Sequence, residues 1–298
     1  MTDSMATIRR KINNAADLQS VVRTMKALAA ANIGQYEQAV RALADYYRTV
    51  ELGLGACFRA RAQADLGPAE PPAASPIMNA VVFGSDQGLV GQFNEIVADY
   101  AVTTLAALPG TIQVWAVGER VQAHLQDAGL QLQGCFPVPN AVNAIAALVG
   151  RIQIETEDKF SPGADAGLYV FHNRQESVGV YQPVSQRLLP LDRQWIQQLT
   201  QIRWPTKNPP QVMCGGIKTL QALLREYLFI SIYRACAESL SSENASRLAA
   251  MERADTNIEE LLDHLHTSFH QLRQSSIDEE LFDVIAGYEA LTDQGPAT

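Results

Sequence analysis

The segment Gly84–Asn94 reads GSDQGLVGQFN, with glycines at 84, 88 and 91 and the polar side chains of Ser85, Asp86 and Asn94 among them. It follows a short apolar run and precedes a helix-like stretch, the kind of junction at which a glycine-rich turn can cradle a phosphate. The spacing, however, is neither G-x-G-x-x-G nor G-x-x-x-x-G-K-[ST], and no lysine is present to meet a phosphate. A tight turn with an Asp or Ser cap and close helix–sheet packing accounts for the same residues, and it outweighs nucleotide binding.

Other reactive side chains are sparse. His266 and His270 are four apart, a spacing that places two metal ligands on one helix face, with Glu259, Glu260 and Asp263 nearby. There is no HExxH frame, and solvated helix residues explain the pair better. His124 and His172 stand alone, and no Ser-His-Asp or Cys-His order is evident. Cys57, Cys135, Cys214 and Cys236 form no CxxC pair, so they read as buried free thiols of a reducing compartment. Arg9, Arg10 and Lys11 form a basic cluster that could meet phosphate, a membrane surface or acids on another helix. Three charges are too few for durable membrane attachment.

The elements that would carry these residues are of two kinds. Between Gly216 and Gly287 lie 70 residues without glycine or proline; as one helix they would run about 105 Å and project from a globule of this mass. Leu248, Met251, Ile258, Leu262, Leu265, Phe269 and Leu272 recur there in steps of three and four, interrupted only by Asp255. Such a seam needs a second helix against it. The N-terminal arm offers one: Ile8, Ile12, Ala15, Leu18, Val22, Met25, Ala29, Tyr36, Val40, Leu43 and Val50 also recur at helical steps, with no proline before Pro68. From Arg9 to Arg61 nine basic residues face four acids, and from Glu243 to Glu289 eleven acids face three arginines, which favours pairing of the arms. With ends roughly aligned, Arg9–Lys11 would lie near Asp278, Glu279, Glu280 and Asp283.

The middle is different. Proline-rich clusters at 67–76 and 205–216 bound it. Strand candidates at 77–83, 111–117 and 130–136 alternate with helix candidates at 89–108, 119–126 and 140–148, and 166–173 and 178–188 read as a hairpin. This order implies an α/β domain with a mostly parallel, Rossmann-like sheet and one antiparallel pair. The expected organisation is residues 1–66 as one long helix, 77–204 as the α/β domain and 212–291 as the second long helix, the two helices forming an antiparallel coiled coil.

Composition narrows the function classes. At 298 residues with 47% apolar residues the chain can build a core. Its net charge of −9 argues against a nucleic-acid binder. No run of 18 apolar residues suggests a membrane span. The opening residues lack the apolar region of a secretory signal and read as the start of the first helix.

Three segments resemble the gamma subunit of the rotary F-type ATP synthase. IRRKINNAADLQSVVRTMKALAAANI (8–33) is similar to the family's opening helix, with Arg9 and Ile12 on its R-x-x-I and Thr24, Met25, Ala29 and Ala30 on its KAM…VAA region. SDQGLVGQFN (85–94) resembles SDRGLCGGLN. Residues 242–291 follow SE-x-x-AR-x-x-AM-x-x-A-x-x-N and then RQ-x-x-IT-x-E-x-x-EI-x-x-GA-x-A, on which Arg273, Gln274, Ile277, Glu280, Ile285 and Gly287 fall. Gln87, Val90, Gln92, Thr24, Asp278 and Tyr288 depart from the pattern, as in a divergent or alternative F-type enzyme.

The resemblance implies a non-catalytic rotor shaft in the F1 sector, coupling ion flow, proton or sodium, to ATP synthesis or hydrolysis. Its partners would be the ring of alpha and beta subunits, the epsilon subunit and the c-ring, at the cytoplasmic face of a bacterial inner membrane, with no cofactor, metal or nucleic acid. Coupling and interface positions carried over are Arg9, Ile12, Met25, Ser85, Asp86, Gly88, Gly91, Asn94, Arg273, Gln274 and Glu280. Two other classes compete: a small Rossmann-like oxidoreductase or phosphotransferase, which would need a cofactor loop that Gly84–Gly91 does not supply, and a coiled-coil adaptor unrelated to ATP synthesis. Because the Walker lysine is missing, the isolated chain is expected to hydrolyse no ATP and to hold no Mg-nucleotide tightly. Micromolar ATP binding in calorimetry, abolished by altering Gly88 or Gly91, would contradict this.

Overall fold

The computed structural model describes residues 4–63, 77–157, 166–177, 180–208, 210–211 and 216–292. The elements are α1 (Met5–Gln63), β1 (Ile77–Phe83), α2 (Phe93–Ala106), β2 (Thr111–Val117), α3 (Glu119–Asp127), β3 (Leu132–Phe136), α4 (Val142–Glu157), β4 (Ala166–Ser177), β5 (Val180–Leu189), α5 (Arg193–Gln201) and α6 (Gly216–Thr292). The chain divides into two compact units, one of Met1–Leu28 with Ala249–Thr298 and one of Ala29–Leu248. Helices α1 and α6 each contribute to both.

In Ala29–Leu248 the five strands lie in the order β3-β2-β1-β4-β5. β1 runs parallel to β2 and β4, β2 runs parallel to β3, and β4 and β5 are antiparallel. The mostly parallel α/β sheet expected from the sequence is therefore present. Its apolar strands alternate between two faces. Ala80, Val82, Val114, Ala116 and Phe171 pack with Val97, Ala101 and Leu105 of α2 and Val121 and Leu125 of α3. Val81, Phe83, Trp115, Val117, Leu168 and Val170 pack instead with Leu54 of α1, Ile145 and Val149 of α4, and Ile232 and Ala235 of α6. Topology explains the split. The steps β1 to β2 and β2 to β3 move the same way, so right-handed crossovers put α2 and α3 on one face. The return to β4, beyond β1, puts α4 on the other.

Several boundaries differ from expectation for local reasons. α2 starts at Phe93 rather than 89, because Leu89 and Gly91 have φ of 62° and 59° and cannot continue a right-handed helix. α4 runs past Leu148 to Glu157, since fully buried Ile152 and buried Thr156 extend its packed face beyond Gly150. α5 had no counterpart in the sequence reading. Its polar string RQWIQQLTQ is held by buried Leu199 and by Asp192, whose Oδ1 accepts from Gln194 N at 3.2 Å as an N-cap. Residues 67–76 and 178–179, and 209 and 212–215 of the second breaker cluster, lie outside the described residues.

In Met1–Leu28 with Ala249–Thr298 the helices pair antiparallel. Ile8, Ala15 and Met251 are buried, and Ile12, Val22, Met25, Ile258, Leu262, Leu265, Phe269 and Leu272 are half-buried. α6 is unbroken through this seam. Asp255 does not merely interrupt it. Gln19 Nε2 donates to its Oδ1 at 3.3 Å and Arg23 Nε at 3.2 Å, and Lys26 Nζ lies 4.0 Å from Oδ2. This polar rung displaces Leu18 from the seam: it is 59% exposed, and half-buried Gln19 takes the inward place. The register also corrects the expectation for the basic cluster. Arg23–Asp255 and Lys26–Glu252 pair at a constant index sum, which sets Arg9 level with Phe269. Asp278–Asp283 thus lie two or more turns further along α6.

Replacing fully buried Leu54 by alanine is expected to cost ~2–5 kcal/mol, whereas the same change at exposed Leu18 should stay within about 0.5 kcal/mol. Urea unfolding of the purified chain measures both, and equal losses would refute the assignment of Leu18 to the outer surface.

Candidate functional site

The loop after β1 closes on itself through side chains. Gly84 N donates to Val117 O at 2.8 Å, and Ser85 N donates to Asn94 Oδ1 at 2.9 Å. Asn94 Nδ2 in turn donates to Ser85 Oγ at 2.8 Å, and that hydroxyl donates to Gln87 O at 2.9 Å. The expected Asp or Ser cap is relocated: Gln92 precedes α2 without a side-chain cap, while Asp86 serves its neighbours. Its Oδ1 accepts from Glu119 N, the first residue of α3, at 3.0 Å, and its Oδ2 accepts from Val138 N at 2.9 Å. A Cβ on Gly84 would collide with Val121 and would lie 2.6 Å from Asn94 Oδ1, so the first glycine serves close helix–sheet packing.

Helix α6 lies on this loop. Ser246 Oγ donates to Val90 O at 2.6 Å, and the site for a Cβ on Gly91 is 3.8 Å from Ser246 Oγ. In open α/β sheets a ligand sits beyond the carboxyl ends of the strands where the strand order reverses. Here that place, at the end of β1, is met by α6. What remains is a cleft of about 200 Å³ lined by Tyr36, Asp86, Asn140, Glu243, Asn244 and Arg247. Glu243, 5% exposed, is pushed above the usual carboxylate range by burial, against the pull of Arg247, whose Nη2 donates to its Oε1 at 2.7 Å. The arrangement is a polar packing layer.

The described cysteines do not change this. Burial raises the thiol pKa of Cys57, Cys135 and Cys236, the opposite of a reactive thiolate; Cys214 lies outside the described residues. Among the described residues no cluster of three His, Cys, Asp or Glu could hold a metal ion, and no helix is long and apolar enough to cross a membrane.

The carried-over positions fall into two groups. Ser85, Asp86, Gly88 and Gly91 share the β1–α2 loop and Asn94 lies in the first turn of α2 against it; Ser85 and Asn94 are buried. Arg9, Ile12, Met25, Arg273, Gln274 and Glu280 belong to the Met1–Leu28 and Ala249–Thr298 unit. Arg9, Arg273, Gln274 and Glu280 are exposed, and Ile12 and Met25 are half-buried.

The sequence reading missed a further cluster. His172, read as standing alone, is 1% exposed on β4, and its Nε2 lies 2.9 Å from Glu238 Oε2 on α6. Arg174 Nε donates to the same oxygen at 2.7 Å, and Arg234 Nε to Oε1 at 2.7 Å. The ionised carboxylate is an acceptor only, so His172 carries its proton on Nε2. Burial depresses the His172 pKa more than Glu238 raises it. Burial alone would raise the Glu238 carboxyl, but the bonds from His172, Arg234 and Arg174 overcome that and hold it at about 2.

The chain combines a mixed α/β unit, whose sheet is mostly parallel, with an antiparallel pair of long helices. The family model described as ATP synthase matches residues 4–291, and the chain belongs to that family. It is 27% identical to an ATP synthase gamma chain of Anaeromyxobacter sp. (strain Fw109-5), covering 97% of this chain and 99% of that one. It is 26% identical to the one of Actinobacillus pleuropneumoniae serotype 3 (strain JL03), over 95% and 98%. The fold is shared with a chain of the Euglena gracilis mitochondrial ATP synthase OSCP/F1/c-ring structure, at a TM-score of 0.64, 15% identity and coverage of 99% and 97%. A chain of the Tetrahymena thermophila mitochondrial central stalk/c-ring structure aligns at a TM-score of 0.57 and 19% identity, over 78% and 99%. The resemblance read from the three sequence segments is borne out.

Glu238 makes acid stability readable. Its pKa is lowered on folding, so its stabilisation is complete above the ordinary carboxylate value of 4.5 and is lost as pH falls toward 2. His172, also lowered, adds a loss in the same direction, starting below its ordinary value of 6.5. Between pH 5 and 2 the wild type should lose on the order of 3 kcal/mol that Glu238→Gln does not lose. Parallel stability–pH curves in denaturant titrations would disprove it.

Proposed function

We propose that this chain is the central rotor shaft of a rotary ATP synthase. The observation that carries the reading is the end-to-end family match, residues 4–291, on a chain whose first and last helices are uninterrupted. Ion flow through a membrane-bound c-ring would turn the sheet domain and, with it, helices α1 and α6 inside a ring of alpha and beta subunits. The shaft surface is not symmetric, so each beta subunit meets a different face in turn. Differential contact shifts each nucleotide site among states of unequal affinity and needs no catalytic group on the shaft. The epsilon subunit is a further expected partner, and the chain would act peripherally on the cytoplasmic side of the membrane.

The far part of α6 supports a ring contact. Met5 of α1 falls level with Arg273 in the helix register. Beyond it Ile277, Leu281, Phe282, Val284 and Ile285 are 44–69% exposed. Apolar side chains concentrated on one helix end suit a surrounding protein surface. Polar Arg273, Gln274 and Glu280 among them would make bonds that form and break at each step, where fixed contacts would stall rotation.

Substituting Arg273 and Gln274 together by alanine is expected to impair ion-driven ATP synthesis in the reconstituted complex while leaving thermal melting of the purified chain within about 0.5 kcal/mol of wild type. Glu280→Ala should act likewise. Leu265→Ala should instead loosen the helix pair, by up to ~2–5 kcal/mol. Normal coupling by the alanine pair together with a weakened helix pair would place these side chains inside the seam and remove them from the ring contact.

A further inference from the structure

Strand β4 and helix α6 are bridged by one carboxylate with three donors. His172 and Arg174 are two apart on β4 and therefore leave the same face of the strand. The residues between and beside them turn the other way: Phe171 packs with α2 and α3, and Asn173 Nδ2 donates to Phe93 O at 2.8 Å. On α6, Arg234 sits one turn before Glu238 and holds its carboxylate from the same helix, 2.7 Å from Oε1. Glu238 Oε2 is left to receive both strand donors, at 2.9 and 2.7 Å. The Glu238 side chain is 11% exposed and that of His172 1%, so the bond between them is weakly screened, while the Arg174 and Arg234 side chains, 43% and 49% exposed, reach it from the solvent side.

The packing around it is apolar and non-directional. The buried α6 positions near Glu238 include the small Ser231, Ala235, Ser239 and Ser242 beside the larger Ile230, Ile232 and Leu240. Such contacts hold the helix against the sheet domain but fix no bond direction along it. Three further bonds between α6 and the sheet domain are neutral: Ser246 to Val90 O at 2.6 Å, Gln153 Nε2 to Arg225 O at 3.0 Å and Tyr233 to Val142 O at 3.5 Å. Beside the bridge lies an open cavity of about 520 Å³ lined by Glu37, Val40, Arg41, Arg174, Glu238 and Ser241.

We propose that Glu238, gripped by His172 and Arg174 of β4, is the torque key that keeps α6 from slipping against the sheet domain when the shaft turns under load. The proposal rests on the rotor reading above. Glu238 acts as a positioning residue: beyond its contribution to the resting fold, it bears shear along the helix when rotation is loaded. At rest the apolar packing holds α6 on the sheet; under torque the directional bonds carry the shear.

The test uses the whole synthase in sealed vesicles, comparing wild type with Glu238→Ala, Glu238→Gln and Arg174→Met. Two quantities are measured: ATP hydrolysis with an uncoupler present, and the largest ion gradient that ATP hydrolysis sustains without it. Uncoupled hydrolysis should stay within about twofold of wild type, while the sustained gradient falls about threefold or more in Glu238→Ala and less in the other two. If Glu238→Ala does not assemble, Glu238→Gln and the half-exposed Arg174→Met carry the comparison. Equal gradients in all variants would overturn the key and leave the rotor intact. Hydrolysis and gradient falling together in every variant would also overturn it, since Glu238 would then only support the fold. A wild-type complex that pumps no ions on ATP would remove the rotor reading itself, and the key with it.

Discussion

A parallel sheet buries both faces, so it needs helices on both, and this requirement organises the chain. Two same-direction crossovers cover one face with α2 and α3. The opposite face carries Val81, Phe83, Trp115, Val117, Leu168 and Val170 and receives only α4 from the strand connections. One helix cannot cover such a width, and the remaining cover comes from the terminal helices, through Leu54 of α1 and Leu228, Ile232 and Ala235 of α6. Burial of roughly 1.5–3 kcal/mol for each such large side chain ties the helices to the sheet more firmly than surface ion pairs could. The long helices are thus structural members of the α/β unit.

That cover has a chemical consequence. α6 reaches the carboxyl end of β1, where a doubly wound fold would place a ligand, and Ser246 bonds to the loop carbonyl of Val90. The loop's polar groups are spent on neighbours: Ser85 on Asn94 and Gln87, Asp86 on the amides of Glu119 and Val138. Residues that look like a phosphate cradle in one dimension are a set of clamps joining β1, α2, α3, the β3–α4 turn and α6. The motif keeps its glycines because of close approach: a Cβ on Gly84 meets Val121, and Gly91 needs a positive φ. Rigidity at the base of a helix is what this loop supplies.

Much of this was legible because it is local. β1 and β2 matched their apolar runs at Ile77–Phe83 and Thr111–Val117, and the seam from Leu248 to Leu272 read correctly as one helix. Local signals also had limits. The left-handed Leu89 has no residue-type warning, so the start of α2 was misplaced. Leu18 fits a helical period as well as Gln19 does, and only the partner Asp255 decides which turns inward. α5 carried a signal that could have been used, an Asp cap followed by Trp195, Ile196 and Leu199 at amphipathic spacing. The His172–Glu238 bridge joins residues 66 apart on a strand and a helix of different period. No pattern within either element announces it, and only the sheet topology brings them together.

Asp255 illustrates how the helix pair balances stability against register. An all-apolar seam between two helices can shift by a turn at little cost, because leucines substitute for one another in neighbouring holes. A carboxylate at 18% exposure that takes Gln19, Arg23 and Lys26 cannot shift without losing its partners. Such a group adds little net stability, yet it penalises the wrong alignment. On the rotor reading the penalty is useful: the polar faces of α1 and α6 must present a constant pattern to the ring, and a one-turn slip of about 5.4 Å would rearrange every one of those faces at once. The half-buried leucines hold the helices together, and the polar rung at Asp255 helps determine where along each other they sit.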